Sequence, residues 1–124
     1  MTITIVQMWM NNAINHKHAV EDGKKKAADE IAKLTPEERA DPCKTGQIYN
    51  DKLQLALAKR DLLACDKKGG IKIWPPGTMS LILASIALHT SDVPLMKMAL
   101  GRLEKEDPQQ YRTVQMWGHS ISDE

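Results

Sequence analysis

The sequence contains no phenylalanine and only two cysteines, and its 17 basic residues are balanced by 16 acidic ones. Two cysteines are too few for the disulfide framework of a small secreted domain, so we expect reduced thiols and a cytoplasmic location. A net charge of +1 lacks the basic excess that is typical of a dedicated nucleic-acid-binding protein. The same balance provides no long-range attraction to an anionic membrane surface.

The main apolar stretch is too short to cross a bilayer. It covers residues 79–88, MSLILASIAL, whereas a transmembrane helix needs about 20 apolar residues. Pro75-Pro76-Gly77 precedes the stretch and His89-Thr90-Ser91-Asp92 follows it. We therefore predict that residues 79–88 form a buried core helix around which the rest of the chain folds, and we expect no membrane partner.

The length and composition are those of one globular domain. The chain has 124 residues, of which 42% are hydrophobic and 27% charged. Seven methionines and three tryptophans partly replace the missing phenylalanine, which predicts a core of Leu, Ile, Ala and Met. We expect a single domain over residues 1–118 and a flexible polar tail over residues 119–124.

Apolar residues recur at helical spacing along most of the chain, and turn residues separate the segments. Thr35-Pro36-Glu37-Glu38 has the form of a capping box, and Ser91 or Asp92 with Pro94, and Asp107-Pro108, indicate two further helix starts. The predicted helices span residues 4–20, 24–34, 46–66, 78–90, 92–106 and 107–117, with a brief turn of helix after Thr35. The sequence predicts an all-α fold of five or six helices, either a small bundle or stacked helical hairpins.

Glycine and polar clusters set the predicted helix ends. Glu21-Asp22-Gly23 is expected to stop the first helix, Thr78 to cap the central one, and Gly118 to end the last one. Two short segments, residues 2–6 and residues 71–74, also alternate apolar and polar residues as strands do. A helix and an extended connector are the favoured interpretation of these segments. The alternative is a two-stranded ribbon that pairs residues 2–6 with 71–74.

One short repeat places a tryptophan near each end of the chain. Val6-Gln7-Met8-Trp9 recurs as Val114-Gln115-Met116-Trp117. The favoured interpretation is that both segments supply Trp and Met to the core, because tryptophan is usually heavily buried. The other interpretation is a surface that binds a partner, because Met and Trp suit adaptable contacts. Its candidate residues are Trp9, Trp74, Met116 and Trp117.

Two groups of lysines could form a basic patch beside Trp74. They are Lys24, Lys25 and Lys26, and Lys67, Lys68 and Lys72. Such a patch could bind phosphates while the indole stacks on a base. Because acidic residues stand close to both groups in the sequence, solvated helix surfaces are the favoured interpretation.

No catalytic or metal-binding motif is present. His16 and His18 would point in nearly opposite directions on a helix, and neither Cys-x-x-Cys nor His-Glu-x-x-His occurs. We therefore predict no metal and no cofactor. Cys43 and Cys65 could pair in space, or one of them could act as a nucleophile with a histidine, in which case Cys43 and His89 are the candidates. The favoured interpretation is two structural thiols.

The sequence thus favours a non-enzymatic protein that binds another protein, as an adaptor, inhibitor or chaperone-like module. The predicted helical hairpin over residues 78–106 would provide the surface. Self-association into a homodimer is a further expectation. A nucleic-acid-binding accessory protein is the second hypothesis, and a small enzyme is the third.

Overall fold

The structure is a computed structural model that describes the backbone of residues 5–121 and the side chains of residues 16–121. Within these residues the chain forms helices and no strand, which confirms the all-α prediction. The helices are α1 Ile5–Ala32, α2 Pro36–Arg39, α3 Pro42–Asp51, α4 Leu55–Lys67, α5 Thr78–Thr90, α6 Val93–Glu106, α7 Pro108–Val114 and α8 Trp117–Ile121.

Helix α5 lies at the centre of the described structure. Its buried residues are Met79, Ser80, Leu83, Ala84, Ile86 and Ala87. They form one core cluster with buried residues of α4 and α6, and α8 packs on the same helix. A helix that contacts neighbours on several sides needs apolar residues around most of its circumference. The prediction that residues 79–88 form a buried core helix is therefore confirmed.

Helices α5 and α6 form an antiparallel hairpin. Ser91 ends α5 in a left-handed conformation, and the Asp92 carboxylate caps α6 by accepting a hydrogen bond from the backbone N–H of Leu95. The Ser80 hydroxyl donates to Glu106 over 2.5 Å, which joins the start of α5 to the end of α6. The predicted Asp92 cap is confirmed.

The predicted Thr78 cap is wrong, because Gly77 occupies the N-cap of α5 with φ +90°. A Cβ at Gly77 would lie 2.9 Å from the Cβ of Asp107. The left-handed backbone and this close approach both favour glycine over threonine at the cap. Thr78 is instead the first residue of the helix.

The predicted helix over residues 46–66 is instead a hairpin of α3 and α4. The chain reverses at Lys52-Leu53-Gln54, where Leu53 has φ +61°. The Gln54 N–H donates to the Tyr49 carbonyl over 2.8 Å, and its side-chain amide donates to the Lys52 carbonyl over 3.0 Å. The broad apolar arc that predicted one long helix belongs to two short helices, which pack closely where Gly46 of α3 meets Leu62 of α4.

Leu53 has a left-handed backbone, which costs a non-glycine residue about 1–2 kcal/mol. Leu53→Gly removes this cost together with the contacts of a side chain that is 38% exposed. Leu57 is a matched control, since it is 36% exposed and lies inside α4, where glycine costs about a further 1 kcal/mol. We expect Leu53→Gly to have a free energy of unfolding in urea about 2 kcal/mol higher than that of Leu57→Gly. Equal stability of the two variants would contradict this.

A disulfide bond closes the α3–α4 hairpin. Cys43 in the first turn of α3 is bonded to Cys65 near the end of α4, with an S–S distance of 2.05 Å and a Cα–Cα distance of 4.7 Å. The expectation of two reduced thiols was therefore wrong. The two cysteines can bond because the chain reversal at Leu53 brings the two ends of the α3–α4 hairpin together. Both cysteines of the chain are used in this bond.

Helix α1 runs through Gly23 without a break, so the predicted stop at Glu21-Asp22-Gly23 was wrong. The glycine permits a close crossing instead: a Cβ on Gly23 would lie 2.1 Å from the carbonyl oxygen of Lys52. Ala27, one turn further along, is also buried. The Gln54 amide donates to the Val20 carbonyl over 2.7 Å, and this bond fixes α1 to the reversal between α3 and α4.

The predicted capping box is confirmed at the start of α2. Glu38 N–H donates to the Thr35 hydroxyl over 3.2 Å, and Thr35 N–H donates to the Glu38 carboxylate over 3.0 Å. Hydrogen bonding to Thr35 lowers the pKa of Glu38. The cap of α7 is confirmed too, because Asp107 accepts from Gln110 N–H.

The end of the chain differs from the prediction. Gly118 does not end a helix but lies within α8, which continues to Ile121 and so includes part of the predicted tail. Residues 122–124 lie outside the described residues. Residues 71–74 form turns, and residues 5 and 6 belong to α1, so neither a ribbon nor an extended connector is formed there. Residues 2–4 of the ribbon alternative lie outside the described residues.

Candidate functional site

Two tryptophans lie partly buried, each beside an exposed apolar residue. Trp74, before α5, and Trp117, at the start of α8, both pack against the core cluster. The residues that precede them, Ile73 and Met116, are 88% and 64% exposed. We call Ile73–Trp74 and Met116–Trp117 the exposed apolar pairs. The side chain of Trp9 lies outside the described residues.

The two groups of lysines lie at opposite ends of α3. All six are exposed. Gly23, next to the first group, contacts Lys52 just beyond the end of α3, whereas Cys65, next to the second group, is bonded to Cys43 at its start. Cys43 and Lys52 are nine positions apart along α3, which corresponds to about 14 Å at a rise of 1.5 Å per residue. The structure therefore does not join the two groups into one patch.

The four histidines are exposed at their described positions, and the described residues hold no cluster of three or more His, Cys, Asp or Glu side chains that could bind a metal. Cys43 and His89, the candidates for an enzymatic site, are not a thiol–imidazole pair. Because Cys43 is bonded to Cys65, it has no free thiol to act as a nucleophile.

A cleft of about 390 Å³ brings together residues that are distant in the sequence. Its polar lining consists of His16, Asn50, Ser85 and His89. Its apolar lining consists of Val20, Leu53, Leu55 and Ile86. These residues come from α1, from the α3–α4 hairpin and from α5. We call it the His16–His89 cleft.

The helical spacing within α5 determines which nitrogen of His89 carries a proton. The Nδ1 atom lies 2.8 Å from the carbonyl oxygen of Ser85, one turn earlier in α5. Because a carbonyl oxygen can only accept a hydrogen bond, Nδ1 is the protonated nitrogen. In the neutral imidazole this leaves Nε2 as the acceptor nitrogen of the ring.

Sequence reasoning found neither the cleft nor the role of His89. A local signal was present on each helix, because His16 and Val20 are four apart on α1, as are Ser85 and His89 on α5. Residues four apart share one face of a helix. Nothing in the sequence, however, indicates that these two faces lie opposite each other.

The strongest polar network of the described residues serves the fold. Arg102 donates to both carboxylate oxygens of Asp66 over 2.8 and 2.9 Å, and its guanidinium lies 3.6 Å from Glu106. The hydrogen bond to Asp66 raises the pKa of Arg102, although partial burial opposes it. Two turns earlier on α4, Lys59 pairs with Asp92 and lowers the pKa of that carboxyl group. These pairs connect α4 to α6.

Comparison with protein-family models, with curated proteins and with solved structures finds no match to this chain. Among the described helices, none combines the length and the apolar character that crossing a membrane requires. The functional proposals therefore rest on the geometry of the exposed apolar pairs and of the cleft.

Proposed function

We propose that this chain is a non-enzymatic module that binds another protein, as an adaptor, inhibitor or chaperone-like component. The observation that supports this is the exposure of Ile73, an 88% accessible side chain next to a tryptophan that packs on the core. Met116 beside Trp117 repeats the arrangement. A large apolar side chain in water becomes favourable to bury when a partner covers it.

The Ile73–Trp74 pair is also held in place before any partner binds. Trp74 N–H donates to the Ile71 carbonyl over 3.1 Å, and Pro75 and Pro76 follow directly. A segment that is already ordered loses less conformational entropy on binding than a mobile one. This turn is therefore the better candidate for the centre of a protein interface.

Site-specific crosslinking tests the proposal. A photoreactive amino acid at position 73 or 116, in the full chain, should capture a protein from a lysate of the source organism in near-stoichiometric yield. The same residue at position 57, on α4, is the control and should capture little. Ile73→Ser should weaken binding at least about tenfold, since burial of an isoleucine contributes about 1.5–3 kcal/mol.

Two outcomes would contradict the proposal. Equal capture at all three positions would show non-specific contact. Recovery of nucleic acid alone would favour the second hypothesis, in which Lys67, Lys68 and Lys72 beside Trp74 contact phosphates without the α1 lysines. Such binding would weaken steeply as the salt concentration rises.

No cofactor, metal or membrane takes part in this proposal. Self-association into a homodimer also stays a prediction. The cytoplasmic location also remains a prediction. The Cys43–Cys65 bond argues against it, because disulfides persist mainly in oxidising compartments.

A further inference from the structure

We propose that the His16–His89 cleft binds an uncharged, mostly apolar small molecule that carries one N–H or O–H donor. The lining of the cleft has little charge to offer. None of the described residues that line it is Lys, Arg, Asp or Glu. A charged ligand that leaves water needs an opposite charge to compensate its lost hydration, and apart from the two histidines this lining supplies none.

The hydrogen-bonding role of His89 determines which ligand group fits the cleft. Its Nδ1 hydrogen is already used by the Ser85 carbonyl, so the neutral ring can offer only the Nε2 lone pair to a ligand. The complementary ligand group is an N–H or O–H. Asn50 and Ser85 can adapt to either role, so they allow this choice without deciding it.

The apolar wall of the cleft depends on an unusual backbone conformation. Leu53 is in the left-handed conformation, with φ +61°, and its 38% exposed side chain lines the cleft. The Gln54 amide, bonded to the carbonyls of Val20 and Lys52, fixes this reversal. Unfavourable backbone conformations concentrate at functional sites. Here Leu53, whose backbone conformation is unfavourable, supplies apolar surface that a glycine would not.

The size of the cleft suits a small molecule. The volume of about 390 Å³ falls within the range of small-molecule sites. A flat two-ring molecule with a single donor meets the three chemical requirements and fits this volume. Indole is such a molecule, and 1-methylindole has the same rings without the N–H, so the two compounds form a matched pair of probes.

NMR titration of the full chain with each probe at pH 8 tests the proposal. Indole should give saturable shifts at His89, Ile86 and Leu53. Its affinity should exceed that of 1-methylindole about fivefold, the worth of one net hydrogen bond of about 1 kcal/mol. Since Ile73 and Met116 do not line the cleft, the result is independent of the proposed protein partner.

His89→Phe keeps an aromatic ring and removes the acceptor. It should weaken indole binding about fivefold and abolish the difference between the two probes. His18→Phe, on the same helix as His16 but outside the cleft lining, should leave both affinities unchanged. The proposal is overturned by equal affinities for the two probes in the unmodified chain. It is also overturned if no saturable shift occurs, or if the shifts centre elsewhere.

Discussion

Loss of the Cys43–Cys65 bond should lower the free energy of unfolding by about 3 kcal/mol. The two cysteines are 22 residues apart, and closing a loop of that length removes conformational entropy from the unfolded chain that corresponds to a stabilisation of this size. The measurement is urea denaturation of the oxidised chain, with and without a thiol reductant. The reductant arm isolates the bond, because it leaves every side chain in place.

A double variant, Cys43→Ala with Cys65→Ala, supplies the control. It should be less stable than the oxidised chain by at least the same amount, since Cys65 is completely buried and alanine leaves space beside Leu62. The reductant should not change its stability further. A wild-type chain whose unfolding is unaffected by reductant would contradict the disulfide.

The features that the sequence predicted well are those determined within a few residues. Caps at Thr35, Asp92 and Asp107 depend on a side chain and backbone N–H groups two or three residues away, so their residue types suffice to identify them. Helix α5 was predictable for a different reason. A ten-residue uncharged stretch with turn residues on both sides has few places other than the core.

The errors occurred where a distant contact decides the local structure. Lys52-Leu53-Gln54 contains no glycine, proline or asparagine, and the turn-forming Asn50-Asp51 just before it were assigned to the continuous helix. The reversal is held by Gln54, whose amide bonds to Val20 on another helix. The disulfide followed from the same missed reversal, because a continuous helix would have kept Cys43 and Cys65 far apart.

The candidate site shows the same limit. His16 and His89 are 73 positions apart, and only the packing of α1 beside the α3–α4 hairpin brings them to one cleft. The repeat was interpreted correctly only in part. Trp117 packs on the core, as the favoured interpretation expected, but Met116 is 64% exposed, so the prediction that it also belongs to the core was wrong. Of the two exposed residues beside the tryptophans, the sequence analysis named Met116 as a candidate partner contact but did not name Ile73.

Gly23→Ala should lower the free energy of unfolding by about 2 kcal/mol, although alanine is the better helix former by about 1 kcal/mol. The added Cβ would lie 2.1 Å from the Lys52 carbonyl oxygen, a backbone atom that cannot rotate away as a side chain can. Gly101→Ala is the matched control. Gly101 lies within α6 with no described atom within 4 Å of its Cβ position, so this variant should gain about 1 kcal/mol.

We expect the free energy of unfolding, measured by urea denaturation, to fall in Gly23→Ala and to rise in Gly101→Ala. This opposite behaviour distinguishes a tight helix crossing from simple helix propensity. An equal gain in both would mean that α1 does not pack against Lys52. The crossing also positions the cleft, because His16 and Val20 belong to α1. Gly23→Ala should therefore weaken indole binding even under conditions where the chain remains folded, whereas Gly101→Ala should leave it unchanged.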